Sequence, residues 1–171
     1  MARAFIAIGS NIDPERNVRA AVRALARQVR VVALSTFYAT PPLRRPEQPG
    51  FVNGMAEVET ELPPRTLKFE VLRGIEAELG RVRGADRWAP RTIDLDIAIY
   101  DTLVIDEPDL RVPDPDIMER PFLAWPLAEL APELVVTGTG RSATEIAARL
   151  SSDAMEPLGQ YTQSLKEEIG A

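Results

Sequence analysis

The fold is decided by a stretch in the middle of the chain, residues 93–100, which reads Ile93-Asp94-Leu95-Asp96-Ile97-Ala98-Ile99-Tyr100. Apolar and β-branched residues dominate it, which is typical of a buried strand. Successive side chains of a strand point to opposite faces, so Asp94 and Asp96 share one face. Ile93, Leu95 and Ile97 point to the other. We therefore predict a strand that packs on the core with one face and presents two carboxylates on the other.

A positively charged loop precedes this strand and contains Arg81, Arg83, Arg87, Trp88 and Arg91. Paired carboxylates are oxygen ligands suited to Mg²⁺, and clustered guanidinium groups suit phosphate oxygens. Clustered like charges repel one another unless an anion or the neighbouring acids satisfy them. The combination predicts a site for metal-assisted phosphoryl or pyrophosphoryl transfer. The alternative is two solvated acids on an exposed edge strand, beside an ordinary charged loop.

Further strands are predicted on both sides of this segment. Apolar or β-branched runs bounded by turn residues predict strands at residues 4–8, 31–38 and 51–61. Residues 103–105 are a candidate hairpin partner for the strand at 93–100. Between residues 41 and 50, prolines exclude regular structure because they lack the amide hydrogen.

Two helices are predicted between these strands. The first begins after Asp13, a good N-cap residue, with Pro14 at its first position. The second begins at residues 63–64 and ends at Gly80 as a C-cap. Its apolar stripe recurs every four residues, at Leu67, Val71, Ile75 and Leu79.

The resulting order, β-α-β-β-α-β, predicts an α+β fold of the ferredoxin-like sandwich type, in which two helices cover one face of an antiparallel sheet. Residues 113–132 predict one or two short helices, and residues 143–150 a further helical turn or two. We expect one domain at residues 1–150, followed by a polar C-terminal tail at residues 151–171 without an assigned role. That tail has one possible apolar stripe, formed by Leu158, Tyr161, Leu165 and Ile169.

Composition excludes several classes of function. The 171 residues suit one domain, and 45 % hydrophobic residues supply a core. Cysteine and histidine are absent, which removes disulfides, thiolate nucleophiles, zinc–thiolate sites and histidine bases. Any metal must be held by oxygen, so Mg²⁺ or Mn²⁺ is expected.

Charge and hydropathy bear on partners. The net charge is −6 and the isoelectric point about 4.8, which argues against nucleic-acid binding by bulk charge. No apolar run approaches the roughly 20 residues of a membrane span, and the N-terminus lacks a signal-peptide pattern. We therefore expect a cytoplasmic protein, a monomer with no nucleic-acid or membrane partner.

Aromatic and amide side chains next to the proline-rich loop suggest a ligand with a planar ring. Phe51 is suited to stack on such a ring, and Asn53 to bind its donor and acceptor edge. The alternative is that Phe51 is a core residue and Asn53 a turn residue. Trp88 lies in a polar loop, where a lid over a ligand is the better interpretation.

Together these motifs resemble those of one family. They are Gly9-Ser10-Asn11, Tyr38-x-Thr40-Pro41, Gln48-Pro49-x-Phe51-x-Asn53, Glu76-x-x-x-Gly80-Arg81-x-Arg83, Arg87-Trp88-x-Pro90-Arg91-Thr92-x-Asp94-x-Asp96, Val112-Pro113 and Glu119-Arg120-x-Phe122. In register over about residues 4–135, they are similar to the 6-hydroxymethyl-7,8-dihydropterin pyrophosphokinases of folate biosynthesis.

The resemblance implies a ferredoxin-like fold and transfer of pyrophosphate from ATP, the co-substrate, to the hydroxymethyl oxygen of the pterin, releasing AMP. It implies that Asp94 and Asp96 hold two Mg²⁺ ions and that Arg81 and Arg91 are the catalytic, charge-stabilising residues. The implied pterin-binding residues are Thr40, Pro41, Leu43, Phe51, Asn53 and Phe122. The implied nucleotide-binding residues are Glu76, Arg83, Arg87, Trp88, Ile97 and Arg120. Two mobile loops, at about residues 43–50 and 82–91, would close over the site.

Three positions depart from the pattern. Asp114 stands after Val112-Pro113, where the family usually has histidine, Arg73 replaces a frequent glutamine, and residues 44–45 are arginines where glycine is common. We expect Asp114 to turn away from the phosphates or to be neutralised by Arg111 or Arg120.

Two other functions remain open on the sequence. A diverged paralogue would phosphorylate another alcohol, and would form no AMP with the pterin. A ferredoxin-like binding module without catalysis would need exposed aromatic residues on its strands and a basic surface. The acidic isoelectric point and the 6 % aromatic content argue against that module.

Overall fold

The computed structural model describes residues 1–42 and 45–171. Its strands are β1 (Ala2–Ser10), β2 (Arg30–Leu34), β3 (Tyr38–Thr40), β4 (Phe51–Thr60), β5 (Asp94–Tyr100), β6 (Ile105–Glu107), β7 (Leu110–Val112), β8 (Val135–Val136), β9 (Arg141–Ser142) and β10 (Glu156–Pro157). The main sheet has the order β10-β3-β4-β1-β5, and β2 also pairs with β4. Every pair in it is antiparallel, and β5 is an edge strand.

Helices lie on both faces of this sheet. They are α1 (Pro14–Gln28), α2 (Pro64–Thr66), α3 (Arg73–Glu78), α4 (Pro121–Leu130), α5 (Ala143–Ala148) and α6 (Gly159–Ile169), with a π-helical segment at Leu67–Leu72 and a 3₁₀ turn at Pro115–Met118. A buried cluster on one face includes residues of α1, the π-helical segment, α3 and α6, and a second cluster includes residues of α4 and α5. The predicted ferredoxin-like α+β order is confirmed. In addition to the helices expected on one face, α4 and α5 bury the other face of the sheet.

The strand predicted at residues 31–38 is interrupted. β2 and β3 pair with different parts of β4, and Ser35 bonds to the backbone of Met55 between them, with its amide 2.9 Å from the carbonyl oxygen and its hydroxyl 2.9 Å from the amide. Phe37 then turns its ring onto Gly54, where a Cβ atom would lie 2.5 Å from the ring. The interruption therefore buries Phe37 in the core.

The hairpin partner predicted at residues 103–105 is wrong. Asp101 has φ 47° and the amide of Leu103 bonds to the carbonyl of Tyr100, so the chain turns away from the main sheet. β6 pairs instead with β7, in a separate two-stranded sheet.

The second predicted helix contains a π-helical turn. Burial recurs every four residues, at Leu67, Val71 and Ile75, a longer period than the 3.6 residues of an α-helix. A π turn has more residues per turn, and it keeps all three side chains on the sheet. At the end, Gly80 has φ 82°, as predicted for a C-cap, and the Arg81 amide bonds back to the carbonyl of Glu76 in a Schellman motif.

Residues 151–171 pack on the rest of the chain. β10 extends the sheet next to β3, and α6 lies against α1. Leu165 is buried, while the other three residues of the predicted stripe, Leu158, Tyr161 and Ile169, are partly buried against the same cluster. Among the described residues, no helix is long and apolar enough to cross a membrane.

Candidate active site

A cavity of about 450 Å³ opens where β1, β4 and β5 meet the loop at residues 81–91. Its volume is within the range of small-molecule sites, roughly 300–1,000 Å³. Most of the residues predicted for the site line it: Thr40, Pro41, Phe51, Asn53, Arg81, Arg83, Arg87, Trp88, Arg91, Asp94, Asp96, Arg120 and Phe122.

Two predicted residues, Glu76 and Ile97, are placed differently, and a third is not described. Glu76 is 2 % exposed and lies behind the arginines of the cavity wall. Ile97 is 1 % exposed and belongs to the core cluster with Leu95, as the alternation of the strand requires. Leu43 lies outside the described residues.

Asp94 faces the cavity between two guanidinium groups. Its Oδ1 accepts a hydrogen bond from Arg81 at 2.8 Å and its Oδ2 one from Arg91 at 2.9 Å. Burial raises the pKa of Asp94, but the charges and hydrogen bonds of the two arginines outweigh burial and hold its pKa below the ordinary value. The carboxylate is therefore ionised at neutral pH, as a metal ligand must be.

Asp96 lies on the same face of β5 and has a different environment. Its Oδ1 accepts a hydrogen bond from the Ile97 amide at 2.9 Å and lies 3.3 Å from the ammonium group of Lys68. The Asp96 side chain is 41 % exposed, whereas that of Lys68 is 10 % exposed. A cationic residue that the sequence patterns did not single out therefore contacts one of the two predicted metal ligands.

Glu76 organises the arginines behind the cavity. Its carboxylate accepts hydrogen bonds from Arg73 at 3.0 Å, Arg81 at 2.8 Å and Arg83 at 2.6 Å, and from the Leu95 amide at 2.9 Å. A buried carboxylate needs such partners, because desolvation would otherwise disfavour its charge. The Schellman turn that ends α3 returns the chain over Glu76, and this brings Arg81 within reach of both Glu76 and Asp94.

Neutral polar groups and aromatic rings line another part of the cavity. The Asn53 amide donates to the Thr40 hydroxyl at 2.8 Å, across the β3–β4 pair. Gly9 allows Asn53 to lie over β1, because a Cβ atom at Gly9 would be 2.4 Å from the Asn53 Oδ1 atom. Phe51 and Phe122 are half-buried at the same wall. These groups suit a planar, hydrogen-bonding heterocycle.

Two loops meet across the mouth of the cavity. The Gln48 amide donates to the Trp88 carbonyl at 2.8 Å and accepts from Asn11 at 3.1 Å, while Asn11 also accepts from the Arg91 amide at 2.8 Å. Arg45 forms an exposed ion pair with Asp86 at 2.7 Å. Gln48 and Asn11 belong to the motifs named above, but the sequence alone does not show that their side chains join the two loops.

Asp114 lines the cavity without a cationic partner in the described part of the chain. The expected neutralisation is wrong: Arg111 pairs with Asp106 at 3.0 Å, and Arg120 makes no ion pair there. The Oδ1 atom of Asp114 accepts a hydrogen bond from the Asp116 amide at 2.9 Å. Burial raises the pKa of Asp114 to about 6, with the Asp116, Asp96 and Asp94 charges adding to the effect.

We expect Asp114→Asn to stabilise the protein at neutral pH. The folded chain binds the Asp114 proton more tightly than the unfolded chain, because its pKa of about 6 exceeds the ordinary 3.8. The stabilisation that the Asp114 proton gives to the folded wild-type chain is complete below pH 3.8 and is lost as the pH rises through about 6. Asparagine keeps the acceptor oxygen and removes the charge. We expect a gain in the free energy of unfolding on the order of 1–2 kcal/mol at neutral pH, after solvent screening, and none in acid.

Urea unfolding across this pH range measures the effect. Asp106→Asn is the matched control, because the Asp106 side chain is 77 % exposed and lies outside the cavity. A gain that is as large in acid as at neutral pH would contradict an origin in the Asp114 charge.

The donor set fits Mg²⁺. Within residues 1–42 and 45–171, no three acidic side chains converge as a ready-made metal cage. Mg²⁺ is typically held by one or two carboxylates together with substrate phosphates, rather than by an all-protein cage. Asp94 and Asp96 supply such a pair, and the arginines around them suit the phosphates. In addition, the Arg91 Nε atom is buried without a hydrogen-bond partner in the described structure, which leaves a donor for a ligand oxygen.

Comparison with known proteins gives the same family as the motifs. The model of 7,8-dihydro-6-hydroxymethylpterin-pyrophosphokinase (HPPK) matches residues 5–132. The chain is 41 % identical over 159 residues to the 2-amino-4-hydroxy-6-hydroxymethyldihydropteridine pyrophosphokinase of Pseudomonas aeruginosa, covering 91 % of this chain and 96 % of that one. A protein of the same name from Methylorubrum extorquens is also 41 % identical over 159 residues, covering 91 % and 98 %.

Solved structures agree on the fold. Wild-type HPPK-DHPS of Plasmodium falciparum aligns with 100 % of this chain at a TM-score of 0.67 and 12 % identity, and the chain spans 45 % of that protein. At this identity the likeness bears on the fold alone. Since the family model matches well over half of the chain and close relatives match nearly all of it, the chain belongs to the 7,8-dihydro-6-hydroxymethylpterin-pyrophosphokinase family.

Proposed function

We infer that this protein is a pyrophosphokinase of folate biosynthesis, which transfers the terminal diphosphate of ATP to the hydroxymethyl group of 6-hydroxymethyl-7,8-dihydropterin. The observation that carries this inference is that one cavity is lined both by a carboxylate pair with arginines and by a wall suited to a planar heterocycle. A pyrophosphate donor and a ring-bearing acceptor must meet in such a site.

The reaction places specific demands on the chain. The hydroxymethyl oxygen attacks the β-phosphorus of ATP, its proton leaves, and the bond from that phosphorus to the α,β-bridging oxygen breaks, so that AMP departs. Negative charge builds on the oxygens around the β-phosphorus, and positioned cations stabilise it. We propose that Arg81 and Arg91 do this, since both already contact Asp94 at the cavity wall.

We propose that Asp94 and Asp96 hold two Mg²⁺ ions. When bound, Mg²⁺ supplies charge neutralisation and orientation of the triphosphate. Arg83, Arg87, Trp88 and Arg120 are proposed to line the nucleotide side. Glu76 would act there by holding Arg81 and Arg83, because it lies behind them. The contact of Ile97 with the nucleotide stays a prediction, although the structure places this side chain in the core.

The pterin is proposed to lie between Phe51 and Phe122, with its polar edge at Thr40, Pro41 and Asn53. Neutral donors and acceptors suit this edge, because a pterin offers several ring nitrogens, an amino group and a carbonyl. The side chain of Asn53 is already oriented by Thr40 and by the close approach to Gly9. Leu43 stays a prediction for this pocket.

Chromatography of the products tests the function. The protein, ATP, Mg²⁺ and the hydroxymethyl pterin are expected to yield AMP and the pterin diphosphate in equal amounts. Reactions without pterin or without Mg²⁺ are the controls. ADP with a pterin monophosphate would indicate a simple kinase. No turnover with the pterin would favour the paralogue with another alcohol substrate. The non-catalytic binding module is disfavoured, because both sheet faces carry buried clusters.

Phe51→Ala is expected to weaken pterin binding, because the ring loses its stacking partner. By analogy with base–aromatic stacking, the loss is about 1–3 kcal/mol. Calorimetric titration of the pterin, in the presence of a non-hydrolysable ATP analogue, measures it. Phe69→Ala is the matched control, since Phe69 is 38 % exposed and does not line the cavity. Equal affinity of the Phe51 variant and the wild type would assign Phe51 to packing.

Three further statements stay predictions: a monomer, a cytoplasmic location, and a division into a domain at residues 1–150 and a tail at residues 151–171. The packing of β10 and α6 on the rest of the chain gives that tail a proposed role in stability.

A further inference from the structure

The chain has two lysines among its 20 basic residues, Lys68 and Lys166. Lys68 is nearly buried, with a side chain that is 10 % exposed, and its ammonium group lies at Asp96. Burying a lysine is unfavourable unless its charge is paired. Lys68 therefore requires a negatively charged partner, which a lysine on the surface does not need.

The path of this side chain follows from the fold. Lys68 belongs to the π-helical segment, whose residues Leu67 and Leu72 pack in the cluster on one face of the sheet. Asp96 points to the opposite face, because its neighbours Leu95 and Ile97 lie in that same cluster. β5 is an edge strand, so Lys68 can pass around it and reach the carboxylate.

Both contacts of the Asp96 carboxylate involve the same oxygen atom. Its Oδ1 atom receives both the Ile97 amide, at 2.9 Å, and the Lys68 ammonium, at 3.3 Å. Its Oδ2 atom makes no hydrogen bond within the described residues. At Asp94, by contrast, each oxygen already accepts from an arginine. Asp96 is thus held through one oxygen, and the residue lines the cavity.

We propose that Lys68 is a positioning residue for Asp96, which fixes the carboxylate with one oxygen free for the metal of the metal–ATP complex. This inference rests on the proposed function. Groups that orient metal ligands commonly affect metal affinity by about 10–100-fold. The ammonium group would repel a bare cation, but the triphosphate that accompanies the metal is anionic and attracts it. Removing Lys68 therefore removes both the orientation and an attraction.

Equilibrium binding of Mn²⁺, with a non-hydrolysable ATP analogue present, tests the proposal without turnover. The electron paramagnetic resonance signal of free Mn²⁺, compared with a protein-free titration of the same analogue, reports the fraction bound to the protein. We expect Lys68→Met to raise the dissociation constant of Mn²⁺ roughly 10-fold. Lys68→Arg, which keeps the charge and the donor, is expected to restore binding to within about 2-fold of wild type, well inside that range. Lys166→Met is the control, because Lys166 lies on α6, outside the cavity, and it should bind as the wild type does.

Two results would overturn the proposal. Wild-type or tighter Mn²⁺ binding by Lys68→Met would show that the ammonium group does not orient Asp96. Weak binding by both Lys68 variants, together with a lowered unfolding temperature, would assign Lys68 to packing alone. Failure of the proposed function is separate, since it would appear as a wild-type protein that forms no AMP.

Discussion

Asp94→Asn and Asp96→Asn are each expected to lower turnover by roughly 10³-fold or more while the fold is retained. Each change removes a formal charge from the proposed metal ligands, and Mg²⁺ depends on few carboxylates. A loss of about 4 kcal/mol of transition-state stabilisation corresponds to this factor. AMP release measures turnover, and the thermal unfolding temperature measures the fold.

The two variants should differ in stability. Asp94→Asn weakens two charge-assisted hydrogen bonds, to Arg81 and Arg91, whose side chains are 10 % and 18 % exposed. The two carboxylates are about equally exposed, at 40 % and 41 %, but Asp96 pairs with one cation in the described part of the chain, Lys68 at 3.3 Å, so its replacement should cost less. Asp106→Asn is the matched control for both, because it removes an exposed carboxylate outside the cavity. Near-wild-type turnover in either cavity variant would end the assignment of that residue as a metal ligand.

The sequence predicts the carboxylate pair well because the reason is local. A strand alternates its faces, so the spacing of Asp94 and Asp96 is sufficient to place both on one side with Leu95 on the other. The same rule shows why Ile97 is in the core, although the resemblance placed it on the nucleotide side. The contact of Ile97 with the nucleotide therefore stays a prediction.

The contacts of Lys68 and Asp114 could not be predicted in this way. Lys68 meets Asp96 around the edge of the sheet, between residues 28 positions apart, and no local pattern encodes that approach. Asp114 was expected to turn away from the phosphates or to be neutralised by Arg111 or Arg120, but Arg111 lies on the β6–β7 hairpin and pairs with Asp106 across it. The π-helical turn could not be predicted either, because the four-residue spacing of Leu67, Val71 and Ile75 is also found on one face of an ordinary α-helix.

Arg81→Ala and Arg91→Ala are expected to lower kcat by about 10²–10³-fold, the scale of losing one positioned donor at a developing charge. Their effect on the KM for ATP should be much smaller. Groups that stabilise charge act chiefly in the transition state, where the diphosphate is in transfer, so their loss appears in kcat. Steady-state rates of AMP release at varied ATP, with saturating pterin, separate the two constants. Arg111→Ala is the control, because its side chain is 62 % exposed and outside the cavity.

The two arginines are not equivalent, and the difference sharpens the test. Arg81 also serves the buried Glu76, so Arg81→Ala leaves that carboxylate with Arg73 and Arg83 and should lower the free energy of unfolding as well. Arg91 binds Asp94 and the Arg87 carbonyl, and its Nε atom has no partner in the described structure. Arg91→Ala should therefore affect kcat with less loss of stability. If both variants instead changed only the KM for ATP, the arginines would bind the ground state, and charge stabilisation would have to come from other groups in the cavity.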